Sequence, residues 1–438
     1  MLVLFCCVAS LQAQQRQERL VYSLQDCLRR GLESNLGLQI TRNDEQVAHN
    51  NASLANAGAL PTLDATAGYR PSLTATEHST SRATGEESST SSVFDYGLNA
   101  GATLNWTLFD GFKIQANYQQ LRLIEQRGET NTRIAAENLI ADIAAEYYNY
   151  LQQILRRAHY RYALSLSKER LRIAELNYQT GRFSGLDYHL ARVDFNSDSA
   201  QYVKQQQTVR TTLVRLNKLM SNPNIDQRIG VPDSSIIVRD DLMLEALWQQ
   251  TLDANASLLR ASQNTMIAEA DYKKVVSRNY PYLKLNAQYA YNFNHYGESS
   301  VLKRDNQTIN GGLTLGINIW DGNRRRERRN AELAIENSKL QREQIEIELH
   351  ADLTTFWQAY RNNLQLLTLQ LQNLEIAESN LEIAMERYKL GNLSGFDMRQ
   401  VQKNLLDAEE RVLQVQYDAK LCEISLLQIS GGIGYYLE

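Results

Sequence analysis

The chain has 438 residues, a net charge of −4 and a pI near 6.0, so no excess of positive charge speaks for nucleic acid. Mean hydropathy is −0.45, and beyond the first residues no apolar run approaches the roughly 18 residues that a membrane-spanning helix needs. The six histidines share no metal spacing, and neither a phosphate loop nor a nucleophile elbow occurs, so catalysis, a metal and a cofactor are not expected.

Leu2 to Val8 form a short apolar core followed by Ser10-Leu-Gln-Ala13. This reads as a signal peptide over 1-13, cleaved after Ala13, and predicts export. No Lys or Arg precedes Arg16, which leaves room for a start further upstream. Lipidation at Cys6 or Cys7 is the weaker alternative, because Phe5 or Cys6 would stand where a small residue is wanted. Cys27 and Cys422 remain; two cysteines make no disulfide framework, and Cys422 lies on a helical core stripe.

A first structural repeat is expected over 20-236. It opens with a helix on Leu24, Leu28 and Leu32, interrupted near Asn35-Leu-Gly37 and ended by Pro61. The period then falls to two, predicting strands at about 62-75 and 93-108 with a polar Ser/Thr-rich surface loop between them. The second strand sets Tyr96, Leu98, Leu104 and Trp106 against Gly97, Asn99, Thr103 and Asn105. It ends at Phe109-Asp110-Gly111. A helix over 112-180 follows, on the order of 100 Å at ~1.5 Å per residue, then a return helix over 184-218. The equatorial connector, 219-240, should hold a short strand at Ile236-Ile-Val238.

The second repeat, 241-438, retraces this plan. Leu244, Trp248, Leu252 and Asn255 answer Leu24, Leu28, Leu32 and Asn35, and Pro281 answers Pro61. Strands are expected at about 282-295 and 307-320, a long helix over 322-390 and a return helix over 394-430. Leu353, Tyr360, Leu367, Leu374, Leu381 and Tyr388 fall seven apart, and Val401, Leu405, Ala408, Val412, Val415, Ala419, Cys422, Leu426 and Ile429 step by four and three. That spacing implies left-handed coiled-coil packing within each hairpin.

Between the paired helices one motif occurs twice. Tyr178-Gln-Thr-Gly181-Arg-Phe-Ser184-Gly-Leu-Asp187 returns as Tyr388-Lys-Leu-Gly391-Asn-Leu-Ser394-Gly-Phe-Asp397. Gly181 and Gly391 suit the left-handed position past a helix end. Ser184 with Asp187, and Ser394 with Asp397, suit a capping box at the next helix start. Each copy is a tight turn at a hairpin tip, and turn chemistry alone would explain one copy.

The strands carry Tyr and Trp on their apolar faces and Asn, Thr, Gly and Gln opposite. A soluble sandwich could use the apolar face. Opposite faces made chiefly of Asn, Thr, Gly and Gln rather than surface Lys and Glu favour a lipid-facing wall around a watery lumen. Backbone groups in lipid must all be paired, so such a sheet closes into a barrel. Four strands cannot close, but a trimer supplies twelve; a dimer with eight satisfies the same geometry.

These features together resemble the TolC family of outer-membrane efflux and secretion channels. The residues that carry the resemblance are the two Tyr-x-x-Gly-x-x-Ser-x-x-Asp tips, the Phe-Asp-Gly and Trp-Asp-Gly-Asn-Arg junctions, and Pro61 with Pro281. It covers nearly the whole chain after the leader. It implies a mainly α fold with a transmembrane β-barrel contribution: a duplicated helix–hairpin–helix unit whose four strands form a 12-stranded barrel in a homotrimer, on a long periplasmic α-helical barrel. It implies outer-membrane localisation with a large periplasmic portion, contact with outer-membrane lipid, and no enzymatic activity. The expected partners are a periplasmic adaptor and an inner-membrane pump of RND or ABC type. The expected function is the exit duct of a tripartite efflux system for small molecules such as drugs and toxic compounds. The alternatives are the outer channel of a type I protein secretion system and a non-transporting exported coiled coil.

By the resemblance, Gly181, Ser184, Asp187, Gly391, Ser394 and Asp397 are adaptor-docking tip residues, and Tyr388 and Asp397 belong to the periplasmic gate. Core packing explains Tyr388 equally well. Leu393 and Gln400 stand where some relatives carry an arginine and a second acidic residue, and Arg399 alters the charge expected at the mouth. The run Arg324-Arg-Arg-Glu-Arg-Arg329 is either a solvated, headgroup-contacting face or a substrate-selecting ring.

Overall fold

The computed structural model of the chain describes residues 20–80, 82–85, 87–182, 184–297 and 301–437; the expected leader over 1-13 lies outside them. The helices are α1 (Leu24–Ser34), α2 (Leu36–Asn51), α3 (Leu54–Ala57), α4 (Lys113–Gln179), α5 (Gly185–Leu219), α6 (Leu244–Ala254), α7 (Ala256–Ser277), α8 (Arg324–Lys389) and α9 (Gly395–Ile429). The strands are β1 (Leu20–Val21), β2 (Thr62–Thr80), β3 (Glu87–Asp110), β4 (Ile229–Gly230), β5 (Tyr282–His295) and β6 (Lys303–Gly316). A 3-10 turn at Ile433–Leu437 follows α9. Two compact units emerge: Asp44–Glu129 with Arg260–Arg342, and the remaining described residues.

The first unit holds an antiparallel sheet in the order β2-β3-β5-β6. The polar segment expected as a loop is instead the outer half of a hairpin, with Thr76 opposite Ser91 and Thr80 opposite Glu87. Alternation was the wrong test there. Where both faces are wet, Ser and Thr can occupy either side, and a pleated backbone needs only its ladder. At the other end the strand expected over 307-320 stops at Gly316. Trp320 and the residues just before it leave the ladder.

The second unit has a core in which Leu24, Cys27 and Leu28 of α1 pack on Ile143 and Tyr147 of α4, Leu216 of α5 and Ile424 and Leu427 of α9. Cys27 and Cys422 are buried free thiols. Buried tyrosines of this core and of a second cluster around Leu353 and Leu426 hold the connector. Tyr150 donates to Ile229 O at 2.8 Å, Tyr147 to the Asp233 carboxylate, and Tyr360 to Arg239 O. No strand forms at Ile236-Ile-Val238 because a strand needs a neighbour's backbone. The backbone next to it is bound by side chains instead, with Arg239 N donating to Glu423 Oε2 at 3.0 Å. The short strand lies earlier, where Leu20 and Val21 pair in parallel with Ile229 and Gly230.

The duplication reaches down to single hydrogen bonds. Asn35 and Asn255 both leave the helical region, at ψ 121° and 120°. Asn35 Oδ1 accepts from Leu38 N at 2.9 Å and its Nδ2 donates to Leu219 O at 2.8 Å, the last carbonyl of α5. Asn255 Oδ1 accepts from Ser257 N and Leu258 N, and its Nδ2 donates to Ile429 O at 2.8 Å, the last carbonyl of α9. One side chain starts a helix and closes another in each repeat, satisfying orphan groups at both ends.

Candidate functional site

Both faces of the four-stranded sheet are open. The pairing register puts Leu63, Leu104, Ala287 and Gly311 in one row, and Ala65, Ala102, Tyr289 and Ile309 in the next row of the same face. Leu63, Leu73, Ile309 and Leu315 are each at least 70% exposed. Rows of the opposite face read Asp64, Thr103, Gln288, Asn310 and Gly68, Asn99, Asn292, Asn306. At the outer end Tyr96 meets Tyr69, Phe94, Phe293 and His295. At the inner end Phe109 meets Phe112, which meets Tyr280. One face is apolar between two aromatic clusters and the other is hydrophilic, mostly Asn, Thr, Gln and Gly with a few charges such as Asp64 and Lys284, a wall suited to lipid outside and water inside.

The tips are built by two Schellman turns. Gly181 N–H donates to Tyr178 O and Arg182 N–H to Asn177 O; Gly391 and Asn392 repeat this on Tyr388 O and Arg387 O. Gly181 and Gly391 have φ of 73° and 78°, the left-handed region a Cβ disfavours. At α5, Ser184 Oγ accepts from Asp187 N at 3.2 Å, and Ser184 N donates to Asp187 Oδ2 at 3.1 Å, a complete capping box. At α9, Ser394 Oγ accepts from Asp397 N at 3.0 Å and donates to Oδ2 at 2.7 Å. The box expected there is half formed: the bond from the Ser394 N–H is missing, for which the surrounding contacts offer no reason. Asp187 and Asp397 are both exposed.

Tyr388, with two readings open from sequence, is 1% exposed and packs with Ile173, Leu381, Ala384, Met398 and Leu405. Leu393 joins the same apolar cluster, and Gln400 is occupied by Asn404 at 2.8 Å. Arg399 is only partly exposed. Its guanidinium forks onto Asp198 at 2.7 and 2.8 Å and reaches Asp194 at 3.6 Å. Arg170 of α4, 1% exposed, pairs with Asp194, and Ser167 donates to Asp198. Five polar side chains thus tie α4 and α5 to α9 beside Tyr388. A cleft of about 550 Å³ lined by Tyr160, Asp198, Arg399, Lys403 and Glu410 opens next to them.

The electrostatics of this cluster are uneven. Burial pulls the Arg170 guanidinium below its ordinary pKa, against the pull of Asp194, and its Nε and Nη1 find no hydrogen-bond partner. The hydrogen bonds to Asp198 hold Arg399 above its ordinary value. Burial raises the Tyr388 phenol, partly offset by Arg170. Sequence reasoning missed Arg170, Asp194 and Asp198. The signal was there: Arg170 lies at helical core spacing between Leu166 and Ile173, and the two aspartates are four apart on one helix face.

Also missed were the apolar side chains at the turns. Leu186 and Phe396 occupy the same place in the two copies, each just before its capping aspartate, and are 67% and 78% exposed; Leu390 is 75% exposed. Both turns thus hold a large apolar side chain in water at the same place in the motif.

The family model described as outer membrane efflux protein matches residues 28–222 and 247–432. No curated protein matches the chain. Among solved structures it is similar to the CmeC outer membrane channel of Campylobacter jejuni, with a TM-score of 0.76 and 18% identity, over 93% of this chain and 85% of that one. VceC, an outer membrane protein of Vibrio cholerae, gives a TM-score of 0.73 at 17% identity, over 93% and 96%. The open state of the Neisseria gonorrhoeae MtrE outer membrane channel gives 0.65 at 17% identity, over 94% and 89%.

Proposed function

The chain belongs to the outer membrane efflux protein family, and from that premise we propose that three copies form the outer-membrane exit duct of a tripartite efflux system. Small molecules, drugs and toxic compounds among them, would pass through it passively after delivery by an inner-membrane pump through a periplasmic adaptor. The observation that carries this is the two-faced sheet whose outermost strands, β2 and β6, each have one partner. Such edges in lipid require closure, and three four-stranded sheets close as one even-numbered barrel.

Dimensions support the same reading. From Leu63 to Leu73 the apolar face covers about 33 Å of strand at ~3.3 Å per residue. Tilted by about 40°, that gives a band of about 25 Å, the height of a membrane-barrel apolar belt. Helices α4 and α8, of 67 and 66 residues, are each on the order of 100 Å long, a reach suited to crossing the periplasm. Two tips per chain give six around the duct's mouth, where Gly181, Ser184, Asp187, Gly391, Ser394 and Asp397 shape the turns for the adaptor. Leu186, Leu390 and Phe396 supply its apolar contact.

The Arg399–Asp198–Asp194–Arg170 cluster would hold the mouth shut, taking the place of the contact that Leu393 cannot make, with Tyr388 packed beneath it. Purified protein should run as a heat-stable trimer from outer-membrane fractions and conduct ions in planar bilayers. A monomer without conductance defeats the reading. Arg399→Ala should raise single-channel conductance while the trimer persists; unchanged conductance removes the latch and leaves the duct.

A further inference from the structure

We propose that the junction between β6 and α8 is a binding surface for anionic phospholipid headgroups of the periplasmic leaflet, seating the channel at a fixed depth. The inference rests on the duct reading above. Chain leaving β6 at Gly316 carries Ile317, Ile319 and Trp320 outward, at 54%, 88% and 87% exposure. Four residues after that tryptophan the arginine run begins. Its charges are not equivalent. Arg324 donates to Asn318 O. Arg328 and Arg329 share Glu332 at 3.2 and 3.7 Å. The neighbouring acids are taken as well, since Asp321 and Glu327 both hold Arg278. Arg325 and Arg326 are exposed and have no partner among the described residues.

An indole and two aliphatic chains in water beside two uncompensated guanidiniums form an interfacial anchor: the apolar groups enter the acyl boundary while the arginines meet phosphate. The same end of the sheet adds Phe112 and Tyr280, both about half exposed and in edge contact. Arginine suits the phosphate geometry because its planar fork can bind two oxygens at once. A solvated charge run would need no exposed tryptophan beside it. A substrate-selecting ring would be approached through hydrophilic residues, whereas the stretch that leads into the arginines exposes Ile317, Ile319 and Trp320.

The test uses the full chain purified as its trimer, titrated with phosphatidylglycerol, phosphatidylcholine or inorganic phosphate, with bound molecules counted by native mass spectrometry. Each arginine near an anionic surface is worth about fivefold, so Arg325→Gln with Arg326→Gln should weaken phosphatidylglycerol binding by about 25-fold. Trp320→Ser should weaken both phospholipids and leave the preference for the anionic one. Trimer stability and conductance should stay at wild-type values in these variants. Equal phosphatidylglycerol binding by the double variant overturns the proposal, as does inorganic phosphate displacing the lipid, which would mark a site for the free anion. If wild-type protein forms no conducting oligomer, the duct reading fails and the lipid site falls with it.

Discussion

At single residues, the two tips show how backbone and charge set different limits. A Cβ at Gly181 or Gly391 would meet nothing within 4 Å, so the constraint there is the left-handed backbone alone. Gly391→Val should therefore cost about 1–3 kcal/mol of local stability, visible as faster proteolysis at the tip with the trimer intact and export lost. Intact export would relieve the tip of any docking role. Arg170 is limited by charge. Asp194→Ala leaves a fully buried guanidinium without its pair and should destabilise by about 3–5 kcal/mol. Arg170→Met removes the buried charge, leaves Asp194 to Arg399 at 3.6 Å, and should cost less. Urea unfolding of both variants checks the order, and equal losses would mean that packing, not charge, dominates. The glycines were legible in the sequence because a turn leaves a local signature. The Arg170 cluster was not, since its partners lie 24 or more positions away and only the fold brings them together.

Elements were legible where a period ran long. The stripe from Val401 to Ile429 on α9 is buried or half-buried throughout, and β5 has the bounds its alternation predicts. Periodicity failed where structure does not depend on it: the Ser/Thr hairpin beyond Thr76, the connector near Ile236, and the end of β6. On α8 the heptad is buried at Leu353, Tyr360, Leu381 and Tyr388, but Leu366, Leu369, Leu371 and Ile376 lie 43% or more exposed. A second apolar stripe of this kind fits helices that pack on neighbouring copies as well as on their own hairpin. The repeated asparagines are the strongest element-scale device. Asn255→Ala removes a helix cap and orphans Ile429 O together, and should lower stability by about 1–3 kcal/mol. The matching Asn35→Ala should cost a similar amount if the repeats are equivalent. A large difference in thermal midpoints would show that the two halves carry unequal loads.

For the whole molecule, the balance of charge and water access decides how the duct responds to its surroundings. Tyr160, Tyr360 and Tyr417 are all pushed up to about 12, first of all by burial, against an ordinary tyrosine value of about 10. A raised folded-state value keeps the proton on, so this contribution is whole below about pH 10 and is lost as pH rises towards 12. The helical part should therefore soften in that window, seen as a falling thermal midpoint. At neutral pH the charge to test is the one proposed for the mouth. Asp397 is exposed, and its carboxylate accepts from the Ser394 hydroxyl that caps α9. Asp397→Asn keeps an acceptor for the Ser394 hydroxyl while removing one charge per chain, so it separates a role of the charge in the proposed gate from its role in the turn. Three fewer negative charges around a narrow opening should lower cation selectivity in planar bilayers. The loss should be largest at low salt, because at about 0.1 M the screening length is already near 10 Å. Selectivity unchanged in dilute salt would take Asp397 out of the gate and leave it a partner of the Ser394 cap.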